Sequence, residues 1–322
     1  MFKKYLNKLN NLPCCNYQTK KCKKNEIIKI LYKDINAFIV SDKKYNDENN
    51  KTRENIIGAI INNKIPIEYY KYSRRWDNLK KSIESYIYDL IGHNNIYSIS
   101  LIHRGGRKYN YDFTIIVNNI EYNIELKFNA ENIDEVPQFV SPIKTCKYLS
   151  NSYEEYYYDN YLSKLISTTN IKYPPPRAQY IAEIHGNKPK CMEYFQNIYY
   201  QGCSKSSKYT GDKNSIKFYN LSNTIDKISR ENFINITELN ITTLSEYLIE
   251  TQKNKIYMFY KNNKFYKQIV NIDDYNLVFS EKYPEQFKYI AYSASGKKID
   301  ILLRWKNGNG IAFPAFQIST KK

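Results

Sequence analysis

Asp112, Glu125 and Lys127 are the residues whose types and spacing could do chemistry. Around them Phe113, Ile115 and Val117 alternate with Asp112, Thr114 and Ile116, and Tyr122, Ile124, Leu126 and Phe128 alternate with Glu121, Asn123, Glu125 and Lys127. That period of two predicts a pair of strands joined by a tight turn. Asn tolerates positive φ, so Asn118 and Asn119 suit the central positions of a two-residue hairpin loop, and opposed residues then have numbers summing to 237. Asp112 falls opposite Glu125. Side chains opposed on antiparallel strands share a face with Cβ atoms about 5 Å apart, where two like charges repel. A cation belongs between them. Lys127 shares the face of Glu125, but one ammonium does not satisfy two carboxylates, whereas a hard divalent cation with oxygen ligands does. Asp112, Glu125 and the main-chain carbonyl of Leu126 are the expected ligands, with Lys127 beside them to orient or deprotonate a water.

The elements that must position these side chains are legible on both sides. Asp77 is a good N-cap for a helix that puts Leu79, Ile83, Tyr86, Ile87, Leu90 and Ile91 on one face before Gly92 stops it. That face predicts a sheet as its packing partner. Residues 96–103 supply a first strand, and Gly105-Gly106 break it. Upstream, residues 25–40 have apolar side chains at helical spacing and residues 41–51 are polar enough for a loop. Thr52 then caps a short helix carrying Ile56, Ile57, Ile60 and Ile61. Downstream, residues 153–167 and 191–201 read as helices, separated by the rigid Pro174-Pro175-Pro176. From about Gly211 strand signals prevail, with one hairpin turning at Asn262-Asn263 and another at residues 306–310. Arg304, Trp305 and Lys306 in the second hairpin suit either a β-ribbon reader of a groove or a plain sheet edge.

An Asp at the start of one strand, a turn, and Glu-x-Lys late in the next, all after a helix and a first strand, resembles the PD-(D/E)XK nuclease superfamily of restriction-endonuclease-like enzymes. Asp112, Glu125 and Lys127 match its signature residue by residue, within residues 77–145. Tyr111 stands where the superfamily's name has proline. The resemblance implies an α/β fold with a restriction-endonuclease-like core, a central mixed β-sheet flanked by helices. It also implies Mg²⁺-dependent phosphodiester hydrolysis, with Mn²⁺ as a substitute. In many members a Glu on the helix before the first strand completes the metal shell; Glu84 is the candidate, its alternative being a solvated helix-edge glutamate. Gln138 resembles a glutamine that some branches place on the helix after the motif, although Pro137 beside it speaks against a helix there. The domains expected are a basic arm with N-terminal helices (1–75), the nuclease core (76–210) and a β-rich C-terminal region (211–322) that serves target recognition or belongs to the same domain.

Charge points to the partner. The 49 Lys+Arg against 32 Asp+Glu leave a net +17, which fits a polyanion. Part of this basicity, like the 34 tyrosines, reflects an A/T-rich coding sequence of the kind found in large DNA viruses and some microbes. Arg104, Arg107 and Lys108 flank Gly105-Gly106 just before Asp112, and Arg74 and Arg75 lie among aromatics; each set is a phosphate contact or a solvated turn. No apolar run approaches the roughly 20 residues of a membrane span. Lys8 interrupts the amino-terminal stretch before a signal peptide's apolar region can form. Six cysteines without CxxC spacing argue against a zinc ribbon or a disulfide scaffold, so an intracellular, cytoplasmic protein is expected. His93, His103 and His185 are too far apart to pair as ligands, and no GxxxxGK[ST] loop is present. The function expected is a metal-dependent, type II restriction-like endonuclease of double-stranded DNA. It would leave 5′-phosphate and 3′-hydroxyl ends, and act as a homodimer if both strands are cut at a palindrome. The rival is a non-catalytic nucleic-acid-binding protein on the same fold.

Overall fold

The computed structural model of the chain describes residues 35–39, 46–104, 109–139, 144–167, 173–186, 209–305 and 314–321. The basic arm, Arg107, Lys108, the helix expected at 191–201 and the turn at 306–310 lie outside them. The chain divides into two compact units, one of residues 1–136 and 254–270, the other of residues 137–253 and 271–322.

In the first unit three helices, α1 (Asn46–Ile61), α2 (Ile67–Tyr72) and α3 (Arg74–Leu90), precede strands β1 (Ile99–His103), β2 (Phe113–Val117) and β3 (Ile120–Phe128). The chain then leaves for β4 (Gln138–Phe139) in the second unit and returns as β5 (Ile256–Lys261) and β6 (Lys264–Ile269). The strands form a mixed sheet in the order β1-β2-β3-β5-β6, in which only β3 and β5 run parallel. Trp76, Leu79, Ile83, Tyr86 and Ile87 recur at helical spacing along α3 and are buried, together with Ile56, Ile57 and Ile60 of α1, against Phe113, Ile115, Val117, Ile124 and Met258 of the sheet. Burying each such side chain contributes about 1.5–3 kcal/mol relative to leaving it in water.

The β2–β3 hairpin has the expected register, from Val117 opposite Ile120 to Phe113 opposite Ile124. Asn118 and Asn119 take φ of 51° and 66° at its turn. The Asn118 side chain accepts from the N–H groups of Tyr97 and Ser98 and donates to the Asn95 carbonyl, tying the turn to the segment that enters β1. Asn262 and Asn263 turn β5 into β6 in the same left-handed conformation.

Two expectations are corrected. Residues 46–51 are helical, and Thr52 lies inside α1 with its hydroxyl on the Glu48 carbonyl; polarity marked a solvated helix face there, not a loop. The region after Gly211 opens with two helices, Lys213–Ile236 and Ile241–Gln252, before its strands. The buried face of the first mixes Phe218, Ile225, Phe233 and Ile234 with Ser215, Ser222, Ser229 and Arg230, so polar residues interrupt the apolar periodicity that would announce a helix. The two units meet the chain at 136/137, 253/254 and 270/271. The N-terminal helices share a core with β1–β3, and residues 254–270 complete that sheet.

The second unit holds β4, helical segments at Tyr153–Tyr157, Tyr158–Leu162, Ser163–Ile166 and Arg177–Glu183, and the two helices just named. Strands β7 (Leu277–Tyr283), β8 (Lys288–Ser293), β9 (Lys298–Trp305) and β10 (Pro314–Lys321) follow. Its sheet is antiparallel throughout, in the order β4-β10-β9-β8-β7. No helix among the described residues is long and apolar enough to cross a membrane.

Candidate functional site

The site is built where β2 begins and β3 ends. The main chain swells by one residue at Asp112: its N–H bonds the carbonyl of Ile124, the residue that already faces Phe113. A swelling of this kind re-aims a side chain. Here it turns the Asp112 carboxylate onto β3, where Oδ2 accepts the N–H of Leu126 at 2.8 Å. A residue in an antiparallel ladder presents N–H and C=O to the same neighbour, so the Leu126 carbonyl faces the Asp112 side too. Glu125 is neighbour to Leu126 and Lys127 is two residues on. The Lys127 ammonium donates to Glu125 Oε1 at 2.6 Å.

A third carboxylate arrives from α1. Glu54 is half-buried, and burial first, then the charge of Glu125, raises its pKa to about 7, with Lys51 opposing. Asp112 is likewise pushed up to about 7, by burial and then by Glu125 and Glu54, against the Leu126 hydrogen bond and the charge of Lys127. For Lys127 burial lowers the pKa, yet the charge and hydrogen bond of Glu125, helped by Asp112, outweigh it and the net direction is up. The hydrogen bond to Glu125 Oε1 favours the charged form of Lys127. A second lysine, Lys255, stands 4.0 Å from Glu125 Oε2 and is held down by burial.

Mutual repulsion among buried carboxylates is what a cation site looks like electrically. Among the described residues no three Asp, Glu, His or Cys side chains stand close enough to close on one ion. Mg²⁺ keeps several waters and takes only one or two carboxylates alongside substrate phosphates, so an open set of Asp112, Glu125 and the Leu126 carbonyl fits it.

The remaining expected residues divide. Arg104 is brought in: its N–H bonds the Asp112 carbonyl at 2.8 Å, its Nε donates to Thr114 Oγ1, and its guanidinium lies 5.3 Å from the Tyr109 ring centre. Arg75 donates to Asn36 Oδ1 and, with Phe128, Tyr260 and Lys261, lines a cleft of about 430 Å³ at the ends of β3 and β5. Arg53 lies over the Phe128 ring at 3.4 Å and Tyr260 stacks against it. Arg74 is exposed at the start of α3.

Glu84 is not brought to the site. Its side chain is 50% exposed and pairs with Lys80 at 3.6 Å, because it sits beside the apolar stripe of α3 and not on it. Gln138 is on no helix; it is a β4 residue paired with Ile318 of β10 in the second unit, as befits a residue just after Pro137. Glu54 and Lys255 were missed. Glu54 had a signal, since it lies three and seven residues before Ile57 and Ile61, which puts a carboxylate on an apolar helix face.

No protein-family model, no curated protein and no solved structure matches the chain.

Proposed function

We propose that the chain is a metal-dependent nuclease with a restriction-endonuclease-like core in its first unit, an endonuclease that hydrolyses DNA phosphodiesters to 5′-phosphate and 3′-hydroxyl ends. The observation that carries this reading is the Asp112 carboxylate on the Leu126 N–H at 2.8 Å, beside Glu125 with Lys127 upon it at 2.6 Å, while burial first and then the neighbouring carboxylates push Asp112 and Glu54 up to about 7. A structural ion pair needs no third carboxylate, and a folded domain does not gain stability from one left in repulsion.

Asp112, Glu125 and the Leu126 carbonyl would hold Mg²⁺, with waters and substrate phosphate completing its shell. A divalent cation there supplies positive charge to a phosphodiester oxygen and makes a nearby water more acidic. The chain's own residues do the rest. Lys127, kept as an ammonium, neutralises a non-bridging oxygen and orients the attacking water in line with phosphorus. Arg104, fixed on β2 by Thr114, takes a neighbouring phosphate, and Arg75 offers a second backbone contact along its cleft.

Supercoiled plasmid incubated with the protein and Mg²⁺ or Mn²⁺ tests the reading. Nicking or linearisation by the parent and none by Asp112→Ala supports it. Retention of DNA without cleavage, whatever the cation, replaces it with the binding-protein reading.

A further inference from the structure

Lys255 lies just before β5, the strand that runs parallel to β3 with Tyr257 beside Glu125. Its side chain is 6% exposed and its Nζ lies 4.0 Å from Glu125 Oε2, while Lys127 holds the other oxygen, Oε1, at 2.6 Å. Lysine is seldom buried this far without an anion, because its charge loses the solvation of water. Glu125 is that anion, held on one oxygen from its own strand and approached on the other from the neighbouring one. The excess positive charge of two ammoniums on one carboxylate faces Asp112, which acts on both lysines. Substrate has little access to so buried an ammonium, so Lys255 acts through Glu125.

We infer that Lys255 is a second resident counter-ion of Glu125, on the oxygen Lys127 leaves open, a positioning residue that steadies Glu125 before a cation binds and against which a divalent cation must compete for Oε2. Only the competition rests on the metal-dependent reading. The pairing stands by itself.

A double-mutant cycle with Lys255→Met and Glu125→Gln, read by thermal unfolding in EDTA, tests the pairing. Lys255→Met should lower the midpoint by about 4 °C or more in the parent and by under about a third of that in the Glu125→Gln background. Equal losses in both backgrounds mean that Lys255 only packs, and overturn the inference whatever the protein does to nucleic acid. Mn²⁺ binding, followed by the electron-spin signal of free Mn²⁺, tests the competition. Affinity should rise about tenfold in Lys255→Met, return to the parental value in Lys255→Arg, and stay unchanged in Lys81→Met, a surface lysine paired with Asp77. Coupling in the cycle without Mn²⁺ binding by any of these proteins would sink the metal-dependent reading and leave the counter-ion in place. Unchanged affinity in Lys255→Met, with the parent binding Mn²⁺, overturns the competition.

Discussion

Both units carry a five-stranded sheet and both bury charge, but they settle that charge differently. In the second unit Glu154 takes His185, Ser152 and Thr145 as partners, and Arg230 donates to Asp226 and the Leu303 carbonyl while lying 4.1 Å from the Phe287 ring centre. Lys288 meets Asp300 and Lys297 meets Asp274. Asp226, Asp300 and Asp274 each face a basic side chain there. In the first unit three carboxylates meet with two lysines on only one of them, and two of the three are driven to about 7. Buried charge that is matched serves the fold; buried charge left in repulsion marks the place where the fold yields to a ligand.

The largest effects should separate the units by what is lost. Asp112→Ala, Glu125→Ala and Lys127→Ala should each lower single-turnover cleavage by about three orders of magnitude or more, since each removes charge from the reacting phosphate. Calorimetric metal titration should find binding lost in the two carboxylate variants and kept in Lys127→Ala, because Lys offers no metal ligand. Lys127→Ala cleaving at the parental rate would end the assigned mechanism. In the second unit, Arg230→Met leaves Asp226 buried without its cation and should cost about 3–5 kcal/mol in urea unfolding. A loss of under about 1 kcal/mol would mean that the matched pair does not hold the second unit.

The contrast should then shift with pH. Asp112 and Glu54 titrate near 7 when folded, against 3.8 and 4.5 ordinarily, so the folded chain binds these protons more tightly than the unfolded one. The cost of ionising them, from burial first and then from repulsion, is absent below about pH 4, grows as pH rises and is complete above 7. In EDTA, Glu54→Gln should therefore stabilise the protein at pH 8 and leave it unchanged at pH 4, as read from urea midpoints. Stabilisation of equal size at both values would show that the glutamine merely packs better.

The legible part of the molecule was the part built from local periodicity. The hairpin could be read to the residue because alternation and two asparagines specify both faces and the turn, and α3 because its stripe recurs every three or four residues. Glu54 was hidden by reading Asn46 to Lys51 as a loop, which cut off the first half of α1 and the helical phase of its carboxylate. Lys255 was hidden by distance in the chain. Its neighbour Glu125 is reached only through the parallel pairing of β3 and β5, and no spacing within either segment announces it. Glu84 and Gln138 were drawn from resemblance and not from spacing; Glu84 stands half exposed on α3, paired with Lys80, and Gln138 is a strand residue of the second unit.

The smallest effect concerns phosphate contacts and sets the two units against each other once more. Arg104 is held by Thr114 and Tyr109, and under the proposed reading it takes a phosphate. Lys288 is already spent on Asp300 at 3.2 Å. Arg104→Gln should weaken DNA binding by about threefold for every sequence and lower the slope of log affinity against log salt by about one, the share of one released counterion. Lys288→Gln should leave the slope unchanged, because a lysine neutralised within the protein releases no counterion from DNA. Fluorescence anisotropy from 50 to 300 mM salt on two unrelated duplexes would read both variants. Equal slopes for Arg104→Gln and the parent would remove Arg104 from the interface, and a lowered slope for Lys288→Gln would place that face of the second unit on DNA despite its internal pairing.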